Sequence, residues 1–134
     1  MARYGSGGHT KHRLQYHLAW IPKYRKRVLQ GKIAIRLKHL LYEAFRMNGW
    51  WISEMSIQDG HLHLVVQVQP RYSVAEVVQI FKGGTSRILR KENPEMDEFL
   101  WGDSFWTDGY FAETAGKVDE EVVKRYIRQQ KGKP

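Results

Sequence analysis

The segment from Trp50 to Gln69 constrains the fold of this chain more than any other. Two strand-like runs, WWISEMSI (50–57) and HLHLVVQVQ (61–69), flank Gln58-Asp59-Gly60, and an Asp-Gly pair between such runs is typical of a β-hairpin. Side chains alternate between the two faces of a strand, so His61 and His63 share one face. The opposite face carries Leu62, Leu64, Val66 and Val68. The pattern predicts a sheet with one apolar face and two histidines on the other.

The segments around this hairpin alternate between strand and helix periodicity. Leu14, Tyr16, Leu18 and Trp20 recur every second residue before Pro22, which predicts a strand. A helix of about four turns, ending near Asn48-Gly49, is indicated by apolar residues at helical spacing. These are Ile33, Leu37, Leu40, Leu41, Ala44 and Phe45.

A second helix is predicted from a capping box at Ser73 and Glu76 to about Glu92, just before Pro94. Gly83-Gly84 lies inside it, and each glycine costs a helix roughly 1 kcal/mol. This pair indicates either close approach of another group or an interruption of the helix.

The last third of the chain predicts one more strand and one more helix. Residues 104–114, SFWTDGYFAET, are aromatic and strand-like around Asp108-Gly109. Asp119 is expected to cap a short helix, with Val118 and Val123 as a hydrophobic staple. The order β-α-β-β-α-β with an appended helix predicts an α+β, ferredoxin-like antiparallel sheet in a single domain, residues 1–134. The Gly-rich residues 1–12 are expected to be loose.

Composition narrows the range of partners and sites that this chain could have. Twenty-two Lys and Arg against fourteen Asp and Glu give a net charge of +8, which favours a polyanionic partner, nucleic acid first. The absence of cysteine excludes disulfides, thiol nucleophiles and cysteine-based zinc sites. No apolar run approaches the roughly 18 residues of a membrane span, and the N-terminus lacks the apolar core of a signal peptide. Nothing in the sequence suggests secretion, and we expect a cytoplasmic protein.

The residues that could carry chemistry admit two interpretations each. His61 and His63 are either solvated histidines beside a turn or two ligands of a metal site that needs a third. Tyr126 and Gln130 lie four residues apart, on the same face of the last helix. Tyr126 could equally be an aromatic at the edge of the core, and Gln130 a solvated residue. Spacing alone favours these simpler interpretations.

Basic and aromatic residues are the other candidates, here for contacts with nucleic acid. The basic ones either track phosphates or form solvated surfaces; they are Lys23, Arg25, Lys26, Arg27, Lys82, Arg87, Arg90 and Lys91. The aromatic ones could stack on bases, although a place in the core is favoured; they are Trp101, Phe105, Trp106, Tyr110 and Phe111.

Five blocks together resemble one family. They are LQYHLAWIPKYRKRVL, HLHLVV, PRYSVAEVVQIFKGGTSRIL, WGDSFWTDGYFAET and VVKRYIRQQ, in order over about residues 14–130. The family is that of the HUH single-tyrosine transposases of small bacterial and archaeal insertion sequences, close kin of the REP-associated tyrosine transposases. One departure is visible: the family usually has an acidic residue directly before the first histidine, whereas Gly60 stands there and Asp59 precedes it.

The resemblance implies a metal-dependent transposase. His61, His63 and Gln130 would hold a divalent ion, Mg²⁺ or Mn²⁺, and Tyr126 would be the nucleophile that forms a 5′-phosphotyrosine. The substrate implied is single-stranded DNA with hairpins near the element's ends. The resemblance also implies a homodimer in which the tyrosine helix of one subunit completes the site of the other, although the sequence is compatible with a cis or a trans placement.

Two alternatives remain open. A non-catalytic ferredoxin-like domain could bind RNA or single-stranded DNA by stacking. An HUH nickase of plasmid or viral replication would share the chemistry, but such a domain is normally embedded in a longer chain.

Overall fold

A four-stranded antiparallel sheet forms the centre of the fold. The computed structural model describes residues 5–7, 10–12, 14–100, 102, 104–114 and 120–129. The strands are β1 (Gly5–Gly7), β2 (Thr10–His12), β3 (Gln15–Trp20), β4 (Trp51–Gln58), β5 (His61–Gln67) and β6 (Phe111–Thr114). The helices are α1 (Gly31–Asn48), α2 (Val74–Glu92), α3 (Asp97–Leu100) and α4 (Glu120–Gln129). Single 3₁₀ turns span Lys23–Arg25 and Pro94–Met96.

The strand order of the main sheet is β4-β5-β3-β6, and β1 and β2 form a separate two-stranded pair. Both strands of the hairpin, β4 and β5, are consecutive in the chain, whereas β3 inserts between β5 and β6. This arrangement of strands and helices confirms the α+β, ferredoxin-like prediction. Residues 1–12, expected to be loose, contain both strands of the β1-β2 pair.

The apolar core lies between α1, α2 and one face of the sheet. The alternation predicted for β5 holds, because Leu62, Leu64 and Val66 are all fully buried. Trp20 of β3 packs edge-on against Trp106 and stacks with Phe81 of α2. The core therefore occupies the leucine face of the hairpin and leaves the histidine face on the other side.

Local signals set the ends of both long helices as predicted. Gly49 follows α1 at φ 71°, a left-handed conformation that glycine adopts without a Cβ penalty. The Ser73 side chain accepts a hydrogen bond from the Glu76 backbone, and Glu76 accepts one from the Ser73 backbone. The helix α2 runs through Gly83-Gly84 without interruption, and a Cβ built on either glycine would meet nothing within 4 Å among the described residues.

The strand predicted around Asp108-Gly109 is wrong for residues 104–110, and only Phe111–Thr114 joins the sheet. The physical reason lies in two features of this segment, hereafter the 104–110 loop. Gly109 has φ 83°, which a strand does not accommodate. The Lys82 ammonium donates to the carbonyls of Thr107 and Gly109, at 2.7 and 2.8 Å. Those carbonyls are thus bound by a side chain instead of a neighbouring strand.

The predicted cap and staple at Asp119, Val118 and Val123 cannot be followed, because residues 118 and 119 lie outside the described residues and the side chain of 123 is likewise not described. The helix that they were expected to begin is α4. Within the described ranges, no helix is both long enough and apolar enough to cross a bilayer.

Candidate functional site

The β4-β5 hairpin presents His61 and His63 on the face of the sheet opposite the core. His63 is paired with Ser56 of β4 and Ala19 of β3, and His61 with Gln58 of β4. Both histidines are partly buried, whereas Leu62 between them is fully buried. The burial of Leu62 fixes the strand's orientation, and with it the direction of both imidazoles.

A third histidine, His17 of β3, contacts His63. Its Nδ1 lies 2.9 Å from Nε2 of His63, and the two rings stack with their centroids 5.0 Å apart. His17 is not among the site residues predicted from the sequence. The signal was present in the alternation of Gln15, His17 and Ala19 on the polar side of a predicted strand, but only the pairing of β3 with β5 brings the two rings together.

The environment of His61 favours its neutral form. Burial is the largest cause that lowers the pKa of His61 below 6.5; the charge of Arg25 lowers it further, and Asp59 acts in the opposite direction. A neutral imidazole has a lone pair that can bind a metal ion. The site is therefore set to offer this nitrogen at neutral pH.

The turn before His61 has room for the acidic residue that the family resemblance implies at position 60. A Cβ on Gly60 would come no closer than 3.8 Å, to Cγ of Arg27, which is an ordinary contact, and Gly60 does not adopt a left-handed φ. Asp59 is 3.8 Å from the Arg27 guanidinium, and both groups are largely exposed. The carboxylate that His61 senses is thus that of Asp59.

The helix α4 packs over the same side of the sheet as the histidines. Ile127 joins a small buried cluster with Ala19 and Ile21, and Tyr126 packs at its edge with its ring centroid 5.6 Å from that of Phe111. Partial burial raises the pKa of Tyr126 above 10.0. Tyr126 thus lies at the edge of an apolar cluster, on the same side of the sheet as the histidines. This position is compatible with a packing role and with a role in the site. Gln130, the expected third ligand, lies outside the described residues.

An open cavity of about 530 Å³ joins the histidine hairpin to α4. Arg25 enters it from the 3₁₀ turn after β3, and its Nη1 donates to the Arg128 carbonyl of α4 at 3.4 Å. The lining consists of Arg25, Arg27, Ser56, Gln58, Asp59, Gly60, His61, Ile127 and Arg128. Three arginines beside a neutral histidine give this cavity a positive character suited to a phosphate group.

The turn that delivers Arg25 is strained. Tyr24 and Arg25 have φ values of 59° and 54°, in the left-handed region that costs a residue with a Cβ about 1–2 kcal/mol. Such conformations persist where the surrounding structure holds them, and they concentrate at functional sites. The backbone nitrogen of Lys23 donates to the Phe105 carbonyl at 2.8 Å, which anchors the start of this turn.

The other predicted basic residues are divided between two surfaces. Lys26 extends over the ring of Phe99, away from the histidines. A cleft of about 660 Å³ between α2 and the 104–110 loop is lined by Lys82, Arg87 and Arg90. Two of the three donors of the Lys82 ammonium are engaged by loop carbonyls, and Arg90 is 3.8 Å from Asp97.

The predicted base-stacking aromatics are mostly structural. Phe105 and Trp106 are 1% exposed, so the core interpretation is confirmed for both. Tyr110 lines the cleft beside α2, and Phe111 packs on Tyr126. Trp101 lies outside the described residues.

The two histidines form an incomplete donor set for a divalent ion. Among the described residues, no three His, Asp or Glu side chains converge as a metal-binding group. His61 and His63 supply two imidazoles on one rigid strand, so a complete site needs a further donor of another type. The two imidazoles fit such an ion as part of a larger donor set.

The comparisons with known proteins agree with this geometry. The curated ISDra2 transposase TnpA of Deinococcus radiodurans is 31% identical over 122 residues, covering 91% of this chain and 87% of the relative. The transposase for insertion sequence element IS200 of Salmonella typhimurium is 25% identical, covering 91% of this chain and 80% of that protein.

Solved structures carry the same fold. A transposase from Deinococcus radiodurans R1 superposes with a TM-score of 0.88 at 26% identity, over 96% of this chain and 99% of that one. A REP-associated tyrosine transposase bound to a REP hairpin superposes with a TM-score of 0.57 at 10% identity, over 93% of this chain and 65% of that one. The family model described as "Transposase IS200 like" matches residues 10–130. The chain therefore belongs to the IS200-like transposase family.

Proposed function

We propose that this transposase cleaves and rejoins single-stranded DNA at the hairpin-bearing ends of its element by metal-dependent transesterification at Tyr126. One observation carries the proposal: His61 and His63 share a face of β5, and the helix that bears Tyr126 packs over β3, the next strand of the sheet. In a family of transposases, this combination supports a site for cutting phosphodiesters.

His61, His63 and Gln130 would hold the ion. When bound, a divalent metal supplies positive charge that offsets the charge developing on the phosphoryl oxygens and orients the scissile phosphate. Mg²⁺ prefers oxygen ligands, whereas Mn²⁺ accepts imidazole more readily. We therefore expect Mn²⁺ to bind this set at least as well as Mg²⁺. With no carboxylate in the trio, the charge of the ion stays available to the phosphate.

Tyr126 would attack the phosphorus atom through its phenolic oxygen. The bond from phosphorus to the 3′ oxygen breaks as the bond to Tyr126 forms; the phenol gives up its proton and the 3′ oxygen leaves as a hydroxyl. The product is a 5′-phosphotyrosine, and attack by a 3′-hydroxyl reverses the step without ATP. Burial raises the pKa of Tyr126, so the phenol stays protonated until positive charge approaches it.

Arg25 and Arg128 place positive charge in the cavity that also contains His61. The guanidinium of Arg25 contacts the backbone of the helix that bears Tyr126. An arginine in this position suits a phosphate of the DNA strand because its planar donors match two phosphate oxygens.

The cleft between α2 and the 104–110 loop supports a second DNA contact. Arg87, Arg90 and the remaining donor of Lys82 face a groove that also contains Tyr110. The REP-associated relative is bound to a hairpin, and we propose that this chain also binds hairpin DNA. Neutralising Arg87 or Arg90 should weaken binding and flatten its salt dependence, since each phosphate contact releases counterions.

We extend the proposal to a homodimer in which α4 of one subunit completes the site of the other. Among the described residues, α4 makes its buried contact with its own sheet through Ile127, which packs with Ala19 and Ile21, and a second copy offers the same surface. A mixture of Tyr126→Phe protein with His61→Ala protein tests this: recovery of cleavage indicates a trans site, and its absence a cis site. Action on DNA would place the protein with the nucleoid, in the cytoplasm.

The decisive experiment is covalent trapping. Protein is incubated with a labelled hairpin oligonucleotide that carries a single-stranded flank and with Mn²⁺, and an SDS-resistant adduct is sought. Tyr126→Phe should abolish the adduct and leave hairpin binding intact, whereas Tyr42→Phe, an exposed tyrosine on α1, should not alter either. His61→Ala or His63→Ala should also abolish the adduct.

Binding without any adduct in the unaltered protein would instead favour a non-catalytic domain that binds single-stranded nucleic acid. An adduct that survives Tyr126→Phe would exclude Tyr126 as the nucleophile.

A further inference from the structure

Phe111 is the first residue of β6, at the edge of the sheet, and its ring packs on that of Tyr126 in α4. The two ring centroids are 5.6 Å apart and the ring planes are inclined by 47°, which is an attractive arrangement for an aromatic pair. Both side chains are partly buried at the border of the small cluster that holds α4 on the sheet. Phe111 is one of the aromatic residues that the sequence offers for base stacking, but its ring packs on a side chain of the protein.

The sheet register places Phe111 level with a proposed metal ligand. Ala19 of β3 is paired with Phe111 on one side and with His63 on the other. Cross-strand partners share a face of the sheet, so the three side chains form one row. Adjacent strands are about 4.8 Å apart, which puts the backbones of Phe111 and His63 about 10 Å apart. A ring that packs on Phe111 is therefore held near the level of His63 along the strands.

The middle residue of this row leaves space for α4. Ala19 is fully buried, and its side chain is a single methyl group. Ile127, the residue after Tyr126, packs with Ala19 in the same cluster. The helix is thus seated over the smallest side chain of the row. A tyrosine ring on such a helix can still rotate about its Cα–Cβ bond, and packing against a second ring selects one rotamer.

We propose that Phe111 is a positioning residue for Tyr126: the packing of the two rings holds the phenol at the level of His63, in reach of the phosphate that is to be cut. The inference rests on the proposed function. An attacking oxygen must be aligned with the phosphorus atom, and a misplacement of about 1 Å can cost about 100-fold in rate. The same contact would serve a trans site, because it joins α4 to whichever sheet the helix covers.

The first test follows the tyrosine without any catalysis, by ¹⁹F NMR of protein labelled with 3-fluorotyrosine. The Tyr126 signal is identified by its loss in Tyr126→Phe. In Phe111→Ala this signal should move towards that of an exposed tyrosine, because the shielding by the neighbouring ring is lost. Phe45→Ala is the matched control: it removes a partly buried ring that packs on Trp51 instead, and it should leave the Tyr126 signal in place.

The second test measures the rate of adduct formation in a single turnover, with saturating hairpin DNA and Mn²⁺. Phe111→Ala should slow this rate by roughly 10- to 100-fold and leave the hairpin affinity unchanged. Phe111→Leu retains apolar volume at the site and should recover part of the rate; it also serves as the test variant if circular dichroism shows that Phe111→Ala does not fold. Phe45→Ala should react at the rate of the unaltered protein.

The outcomes separate this inference from the proposed function. If Tyr126→Phe abolishes the adduct while Phe111→Ala and Phe111→Leu react at the original rate, the proposed function stands and the role of Phe111 is overturned. An unmoved Tyr126 signal in the Phe111 variants, or an equal loss of rate in Phe45→Ala, overturns that role as well. If the adduct survives Tyr126→Phe, the assignment of the nucleophile itself fails, and the positioning role with it.

Discussion

The Arg25 guanidinium reaches from the turn after β3 to the backbone carbonyl of Arg128 in α4. This contact links the sheet that carries the histidines to the helix that carries Tyr126. It is made by a residue in a strained backbone conformation, and it lies in the cavity that contains His61.

Replacing Arg25 should separate activity from stability. Arg25→Ala and Arg25→Gly both remove the guanidinium, so both should reduce formation of the covalent DNA adduct by at least about 10-fold, as expected for loss of a charged phosphate contact. Glycine tolerates φ 54° whereas alanine does not, so Arg25→Gly should be the more stable by up to about 1 kcal/mol in urea unfolding. Equal stability of the two variants would show that the turn is not strained in solution.

Because of His61, the free energy of unfolding should decrease as the pH falls below 6.5. Its pKa in the folded protein lies below 6.5, so the unfolded chain takes up the proton first as the pH falls. The contribution of neutral His61 to the free energy of unfolding is present above pH 6.5. It is lost as the pH drops towards the lowered pKa of His61 in the folded state. Urea titrations across this window should show a shallower loss of stability for His61→Gln than for the unaltered protein. His39→Gln, on exposed α1 surface, should retain the original slope.

Introducing at position 60 the acidic residue that the family resemblance implies should be tolerated. Gly60→Asp has room for its Cβ, and its carboxylate would stand next to His61. We expect a folded protein with tighter Mn²⁺ binding and a higher pKa for His61, measured by EPR and by NMR titration. Gly60→Asn has nearly the same shape without the charge and should leave both quantities near their original values. A collapse of the hairpin in both variants would contradict the geometry of the turn.

Thr85 should be essential to the core. Its hydroxyl accepts from Nε1 of the buried Trp106 at 2.8 Å and donates to the Phe81 carbonyl at 2.7 Å. Thr85→Val keeps the shape but leaves the indole N–H without an acceptor, which should cost about 1–3 kcal/mol in urea unfolding. Thr85→Ser keeps the hydroxyl and should cost less than Thr85→Val. A reversed order would mean that packing of the methyl group outweighs the hydrogen bond.

The two glycines of α2 form a matched pair. Neither site is crowded within the described chain, so Gly83→Ala and Gly84→Ala should each stabilise the helix by about 0.5–1 kcal/mol. Only Gly83 lines the cleft with Arg87 and Arg90. If DNA approaches α2 closely there, Gly83→Ala should weaken hairpin binding in a filter or anisotropy assay, and Gly84→Ala should not. Equal hairpin affinities of the two variants would show that DNA does not approach the backbone closely at Gly83.

Elements with local signals were predictable from the sequence. The Asp59-Gly60 turn, the Ser73 cap and the left-handed Gly49 each depend on a few neighbouring residues, and the structure confirms all three. The opposed faces of β5 followed from alternation alone. These features specify most of the fold and the direction of His61 and His63.

Features that depend on contacts between distant segments were not predictable in this way. His17 is 46 residues from His63 in the chain, and only the sheet register makes them neighbours. The 104–110 loop has the aromatic content of a strand, but the Lys82 ammonium of α2 donates hydrogen bonds to two of its carbonyls. The roles assigned to Tyr126 and Gln130 came from family resemblance and remain predictions.

The alternation in β5 has a consequence for how errors in folding affect this enzyme. A slip of one residue in its pairing would turn Leu62 and Leu64 outwards and both histidines into the hydrophobic interior. Such a chain would lose the burial of its two fully enclosed leucines and would not remain folded. Preparations of this protein should therefore contain no compact population with the imidazoles facing the wrong way, and the fraction of chains with His61 and His63 on the α4 side of the sheet should equal the fraction that is native.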